Sequence, residues 1–403
     1  PYGKVLHSGD WKLDPDPVVG PASDMDRMSD ISEGDVLAMV CDSTNVFKSG
    51  TSGSEGDVQS SLDTLLGTLK EGRVAVTTFA SNIARLKTIA SIAEKHQRHV
   101  VLVGRSLHRM TEAAKRSGYL QDIPPFLSEK DAGFLPRENV LLLCTGSQGE
   151  PRGAMARIAR DEHQHISLDK GDTVIFSSKV IPGNEKTLYA LHNQLTENGI
   201  HVITEADEFV HVSGHPAKDE LSRMYETVQP RIAVPVHGEA RHLKAHCELA
   251  LSLGAEQAIE IRNGDVLKLA PGKAEIIDTV PAGRLAVDAG GLTALDGEFL
   301  STRRKMIFNG TASALLIVNE KGQIAEEPVV RIRGVVDEDL FPSLQEDLRR
   351  EIKERHYELS KRNRQMDEEV EESARRAIRR VFRKIAGRRP ITDVYVVRIE
   401  EDV

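Results

Sequence analysis

Short apolar runs alternate with amphipathic stretches through residues 1–265. VLAMVCD (36–42), RVAVTTF (73–79), HVVLVG (99–104), NVLLLCTG (139–146) and DTVIFSS (172–178) read as buried strands. Between several of them, hydrophobic positions recur near 3.6 residues, as in 81–95 (SNIARLKTIASIAEK) and 183–198 (GNEKTLYALHNQLTEN), which predicts helices. Strands that alternate with helices imply parallel pairing and a layered α/β domain. Residues 1–10 (PYGKVLHSGD) read at once as a further strand.

That rhythm breaks near residues 263–300. NGDVLKLAPGKAEIIDTVPAGR looks like short strands and turns, and DAGGLTALDG is a Gly-rich connection. KMIFNG, ALLIVN and VVRIRGVV then read as strands, with NEKGQ as a hairpin turn. Residues 343–386 are helical and highly charged, and ITDVYVVRIE closes the chain as a strand, giving a small α+β domain.

Length and composition narrow the function. At 403 residues the chain accommodates about three domains. Aromatics are 4% and Trp11 is the single tryptophan, so a stacking platform for single strands has little to work with. A net charge of −9 argues against a broadly basic nucleic-acid coat but leaves room for a local basic groove. Cys41, Cys144 and Cys247 are odd in number and far apart, which excludes a disulfide framework and suits a reducing cytosol. No apolar run approaches ~18 residues, so no membrane helix is expected. The chain opens on Pro1 in what reads as mid-strand, and we expect it to be the downstream part of a longer protein.

Four apparent strands finish on a side chain able to bind metal or move protons. VLHSGD ends at Asp10, VLAMVCD at Asp42, FVHVSGH at His215 and IAVPVHGE at His237. The two histidines are bracketed by Gly214 and Gly238, expected to make tight turns before a helix. In open α/β sheets ligands gather outside the carboxyl ends of strands, and His and Asp suit a zinc or manganese site. A single strand-end Asp is commonly a turn or cap residue; four such residues together point to a site.

Other histidines read as structural. HLKAH (His242, His246) lacks the Glu of a zinc-peptidase helix and reads as a solvated helix face. His7 and His211 are expected to be packed or paired within strands. TGSQGEP (145–151) and SSKVIPGNEK (177–186) each follow a strand and precede a helix, where backbone N–H groups can cradle an anion or simply make a turn. Neither holds the GK[ST] of a nucleotide loop. With STNVFKSGTSGSE (43–55) they bring many hydroxyls and amides toward the same rim, an inventory that suits a phosphate-rich polymer.

SGDW, DSTN, SGHP and PVHGE, in that order, resemble the motifs of β-CASP metallo-β-lactamase nucleases. CTGSQGEP, SSKVIPGNE, HVSGHP and PVHGEARH are similar more narrowly to the ribonuclease J family, over essentially the whole chain. The resemblance implies a partial metallo-β-lactamase αββα layer (1–55, returning at 206–270). It also implies an inserted β-CASP α/β domain (56–205), a linker (271–300) and a small C-terminal α+β domain (301–403). It makes Asp10 a metal-bridging carboxylate and His237 a metal ligand, with Asp42 and His215 as catalytic residues. Ser147, Gln148, Gly149, Glu150, Ser213, Gly214 and His215 become candidates for substrate phosphates. Two Zn2+ ions per site are implied, with Mn2+ or Mg2+ as alternatives. The substrate implied is RNA, cut from a 5′ end and also internally, in RNA processing and decay in the cytoplasm.

One departure shapes the expectations. The family's HxHxDH motif, which supplies most metal ligands, is not found in residues 1–403; the HQH at His163 and His165 lacks a following DH. The isolated chain is therefore expected to be inactive. A DNA-processing β-CASP nuclease and a non-catalytic RNA-binding scaffold are the competing functions. The helical segment, with 15 Lys/Arg against 10 Asp/Glu in 345–389, reads as a solvated face whose basic end (Arg375 to Arg389) is also suited to RNA or a second subunit. The resemblance leans toward a homodimer or homotetramer assembled through the C-terminal domain.

Overall fold

The computed structural model describes residues 2–33 and 35–400, so Pro1 of the opening run lies outside the described residues. Contacts divide the chain into two units, Pro1–Val280 and Pro281–Val403. The first unit begins with β1 (Lys4–His7), α1 (Met25–Ser32) and β2 (Val36–Asp42).

A second layer follows as α2 (Glu55–Thr68), β3 (Val74–Thr77), α3 (Ile83–Lys95), β4 (His99–Val103), α4 (Arg105–Arg116), β5 (Val140–Cys144), α5 (Ala154–Ala159), β6 (Thr173–Phe176), α6 (Glu185–Glu197) and β7 (His201–Ile203). Its five strands are all parallel, in the order β4-β5-β3-β6-β7. The strands are continuously apolar because both faces are buried. Val74, Val76, Leu141 and Leu143 pack on one face against Leu62 and Leu66 of α2 and Leu86 and Ile89 of α3. Ala75, Leu142, Val174 and Phe176 pack on the other against Met155 of α5 and Leu188 and Leu191 of α6.

The chain then returns through α7 (Lys218–Val228), β8 (Ile232–Val236), α8 (Ala240–Ser252) and β9 (Gln257–Ala258), ending the unit with the hairpin β10 (Asp265–Lys268) and β11 (Glu275–Thr279). A parallel sheet in the order β1-β2-β8-β9 results. Met39 and Cys41 of β2 face Leu221, Met224 and Tyr225 of α7, while Ala38 packs with Ile232 and Val234 on the opposite face. Pro235 can sit in β8 because β9 pairs only with Ile232 and Ala233, leaving that stretch an open edge.

The second unit contains the hairpin β12 (Leu285–Asp288) and β13 (Gly291–Ala294), then α9 (Glu298–Asn309), β14 (Thr311–Asn319), β15 (Val329–Arg333), α10 (Leu344–Glu358), α11 (Asp367–Ala386) and β16 (Ile391–Ile399). β14 is the centre of a mixed sheet, antiparallel to β15 and parallel to β16. One face buries Ala312, Ala314, Leu316 and Val318 against Leu348 and Ile352 of α10 and Ile378 and Phe382 of α11. The chain thus has the α/β class expected, with parallel sheets and a mixed-sheet C-terminal domain.

Several local expectations are corrected. KMIFNG is the last turns of α9, not a strand: helix formers from Glu298 to Lys305 extend the pattern upstream. Gly310 ends that helix at φ 70°, where a Cβ would meet the Arg333 carbonyl oxygen at 2.5 Å. DAGGLTALDG is a hairpin rather than a plain connection, turning through Ala289 and Gly290 at positive φ. The charged segment 343–386 is two helices, broken at residues 359–366.

Candidate metal and phosphate site

β1, β2 and β8 are neighbours and parallel, with Asp42 paired in register to Val236, so their carboxyl ends open on one rim. Asp42 closes β2, His237 follows β8 directly, and Asp10 lies three residues past β1. The backbone reversal after β8 falls on His237 itself, at φ 57°, not on Gly238. His215 does not end a strand. FVHVSGH is an irregular segment between β7 and α7, and Asn45 fixes it by donating from Nδ2 to Ser213 Oγ at 2.8 Å and to the His215 carbonyl at 3.0 Å. Ligating atoms of Asp10, Asp42, His215 and His237 lie within 4.8 Å of one another.

The four residues are not equivalent. The Asp42 side chain is fully buried, and His215 Nδ1 donates to its Oδ2 at 2.6 Å. Its Oδ1 accepts from the Thr44 backbone N–H at 2.8 Å and the Thr44 hydroxyl at 2.7 Å. Burial alone would raise the Asp42 pKa, but the hydrogen bonds from His215 and Thr44 outweigh it and hold the carboxyl below its usual range. The same bond to Asp42 raises His215, against partial desolvation. The carboxylate, its other oxygen occupied by Thr44, orients the imidazole and favours the proton an acid would need.

Asp10 and His237 are the accessible pair, with Asp10 Oδ1 3.6 Å from His237 Nδ1. Thr44 fixes the tautomer of His237. Its one hydroxyl proton goes to Asp42, so at 2.9 Å from His237 Nδ1 the hydroxyl accepts. His237 Nε2 then keeps its lone pair for a ligand. An imidazole with one uncommitted nitrogen and an exposed carboxylate in the same four-residue cluster are donor types that fit zinc or manganese.

Ser213 joins this site, donating structure to His215 by accepting its backbone N–H at 3.1 Å; Gly214 lies exposed between them. Ser147 to Glu150 follow the end of β5 in the five-stranded sheet, with Ser147 and Gln148 buried. Gln148 ties its loop to residues 177–184 through the Lys179 carbonyl at 2.8 Å and the Ile181 N–H at 2.9 Å. Glu150 accepts the Gln148 N–H, and Gly149 N–H goes to Gly146, so those amides already have partners. Lys179 lies near enough to His215 to oppose the rise in its pKa.

Several participants escaped the sequence reading. His246 is not on a solvated face: it is fully buried, bonded to Ser43 Oγ at 2.9 Å and Tyr225 Oη at 3.0 Å, and burial lowers it to about 4. It supports the residue next to Asp42 from below. His7, exposed at the end of β1, is paired as expected, accepting the Gly9 backbone N–H at 3.1 Å; His211 lies outside any strand, driven to about 3 by burial and surrounding cations. Arg85, fully buried, pairs with Glu55 and donates to the Val210 carbonyl at 2.8 Å, anchoring the segment that carries His215. Phe47 is 57% exposed beside this rim, with the Arg241 guanidinium 5.5 Å from its centroid and the His242 ring at 5.2 Å. Thr44 and Asn45 had a visible signal, as neighbours of Asp42 in DSTN; Arg85 and His246 had none.

The chain is similar to known proteins over most of its length. Residues 71–195 match a family model described as "Ribonuclease J, beta-CASP domain", and 298–399 match "Ribonuclease J C-terminal domain". Residues 199–261, which hold His215 and His237, match "Zn-dependent metallo-hydrolase RNA specificity domain". Ribonuclease J of Sinorhizobium meliloti is 41% identical over 398 residues, covering 98% of this chain and 70% of that protein. The chain belongs to the ribonuclease J family. Family members from Corynebacterium glutamicum (38% identity; 83% of this chain, 47% of that protein) and Helicobacter pylori strain B128 (32%; 95% and 56%) align similarly. The chain therefore spans about half the length of those two relatives. A solved protein of unknown function from Enterococcus faecalis V583 overlaps at a TM-score of 0.45 and 14% identity, over 69% of this chain and 59% of that one, too slight a likeness to bear on the fold.

Proposed function

We propose that this chain provides the acid–base half of a metal-dependent ribonuclease that hydrolyses RNA phosphodiesters, progressively from a 5′ end and also internally. The observation that carries this reading is the convergence of His215, oriented by Asp42, with the exposed Asp10–His237 donor pair at one rim. Asp10 and His237 would hold zinc, and a bound divalent cation polarises a phosphoryl oxygen and lowers the pKa of water. Asp42 aims His215 and favours its charged form. His215 hydrogen-bonds a phosphate oxygen or protonates the leaving oxygen. Ser213 fixes the turn beneath it. Phe47 offers a base a surface to stack on, beside the Arg241 cation.

In this reading residues 1–55 and 206–270 form the hydrolase layer, and 56–205 the inserted domain that brings Ser147 to Glu150 toward the RNA. The three cysteines are free and buried, which fits the cytoplasm; among the described residues no helix is long and apolar enough to cross a membrane. Two uncommitted donors are too few for two tetrahedral zinc ions. Residues 1–403 alone are therefore expected not to cleave RNA.

In the full-length protein, Asp10→Ala should abolish cleavage of a 5′-monophosphorylated RNA and lower bound zinc. His215→Ala should slow cleavage about 10²–10⁴-fold with zinc retained. Metal content measured beside rate decides the roles; zinc lost with His215 would reassign it as a ligand.

A further inference from the structure

Against a net charge of −9, the second unit carries a groove of about 630 Å³ in which the charged lining residues are all cationic. Lys305 of α9, Arg376, Arg379, Arg380 and Arg383 of α11, and Arg389 beyond it supply six cations. Arg376 is paired with Glu372 at 2.8 Å and Arg380 with Glu351 at 3.3 Å. The side chains of Lys305, Arg379, Arg383 and Arg389 have no carboxylate partner among the described residues. Gly387, Pro390 and Ile391 form the floor.

Helix stability accounts for only part of this arrangement: the pair with Glu372, one turn earlier, explains Arg376. Cations in the last turn complement the helix dipole, which covers Arg383 and Lys384, but the effect fades within that turn. Arg376, Arg379 and Arg380 lie higher. Spacings of three and four residues put Arg376, Arg379, Arg380 and Arg383 on one face, where neighbouring like charges repel and destabilise the helix. An anion in the groove would turn that repulsion into attraction.

We propose that this groove binds the phosphate backbone of RNA, as a holding site separate from the residues that perform hydrolysis. It rests on the reading of the chain as an RNA hydrolase. Guanidinium groups present forks that match phosphate oxygens, and four of them run along one helix. From Arg376 to Arg383 is seven residues, about 10 Å of helix, room for about two or three successive phosphates. With no aromatic side chain in the lining, the groove reads backbone and not base, so it is indifferent to sequence.

The test uses the full chain and a fluorescein-labelled single-stranded RNA in chelator, with anisotropy followed as salt is raised. For the double variant R379E/R383E we expect Kd to rise at least tenfold near 0.1 M salt. The slope of log K against log salt should fall by about 1.4, two contacts at about 0.7 each. The double variant R379K/R383K should restore most of the slope. Arg362→Glu, an exposed cation of the same unit outside the groove, should leave Kd within about twofold. An unchanged slope in R379E/R383E, or an equal loss in Arg362→Glu, overturns the groove while RNA is still bound and cut. Dissociation of an oligomer by R379E/R383E with RNA binding intact also overturns it, making the groove a protein interface. If the full-length wild-type protein neither binds nor cuts RNA, the hydrolase reading falls as well.

Discussion

Thr44 shows how one small side chain organises the candidate site. Its hydroxyl donates to Asp42 and accepts from His237, so it links the orienting carboxylate to the metal-facing imidazole. Thr44→Val keeps the shape and removes both bonds. Residues that orient a ligating histidine typically carry 10–100-fold in metal affinity, and that loss is expected here. Thr44→Ser should recover it, because the hydroxyl is what matters. Zinc affinity of the full-length protein, measured by competition with a chelator, checks this; an unchanged affinity in Thr44→Val would mean that His237 is oriented some other way. The motif DSTN made Asp42 legible from the sequence, and strand-end position made Asp10 and His237 legible. Tautomer and commitment of lone pairs were not, because they depend on pairing across 193 residues of chain. His246 was misread for the same reason: its partners Ser43 and Tyr225 lie on other elements, and helical spacing alone cannot show them.

Elements were legible where burial imposes a single period. The strands of the five-stranded sheet are apolar on both faces and stood out. KMIFNG did not, because Ile307 and Phe308 are 72% and 73% exposed and follow no packing period. The start of α2 was equally hidden, since a distant carboxylate helps to cap it. Ser54 is its N-cap, and Asp14 accepts from Ser54 Oγ at 2.6 Å and from Glu55 N–H at 2.9 Å, with Lys12 beside it at 2.8 Å. Burial pushes the Asp14 pKa up, but these bonds reverse the effect and bring it to about 2. A depressed carboxyl pKa stabilises the fold above the unfolded value near 3.8, and that contribution is lost as pH falls toward 2. It is worth up to about 2 kcal/mol. Asp14→Asn should therefore be less stable at pH 6, with the difference shrinking between pH 4 and pH 2. Denaturant midpoints across that range measure it; a constant difference would assign the loss to packing.

At the scale of the molecule, the division at Val280 and the open sheet of the second unit lead to one expectation about assembly. β16 is nine residues long and pairs only with β14, leaving its outer edge free among the described residues. The sheet face away from α10 and α11 exposes Leu315, Val329, Tyr395, Val397 and Ile399, at 36–60%. A long free edge beside an apolar face invites pairing with another chain. KMIFNG, expected from the sequence to be a strand, is helical and offers no edge, so β16 and this face carry the argument alone. We expect a homo-oligomer joined through residues 281–403. Truncation after Val280 should leave a monomer, and Val397→Lys in the intact chain should weaken association at least tenfold without unfolding the unit, because that side chain is already half exposed. Mass in solution by light scattering, read beside circular dichroism, decides between outcomes. A truncated chain that keeps its oligomeric mass would move the interface into the first unit. An intact chain that is monomeric at high concentration would show that the exposed face is solvated as it stands.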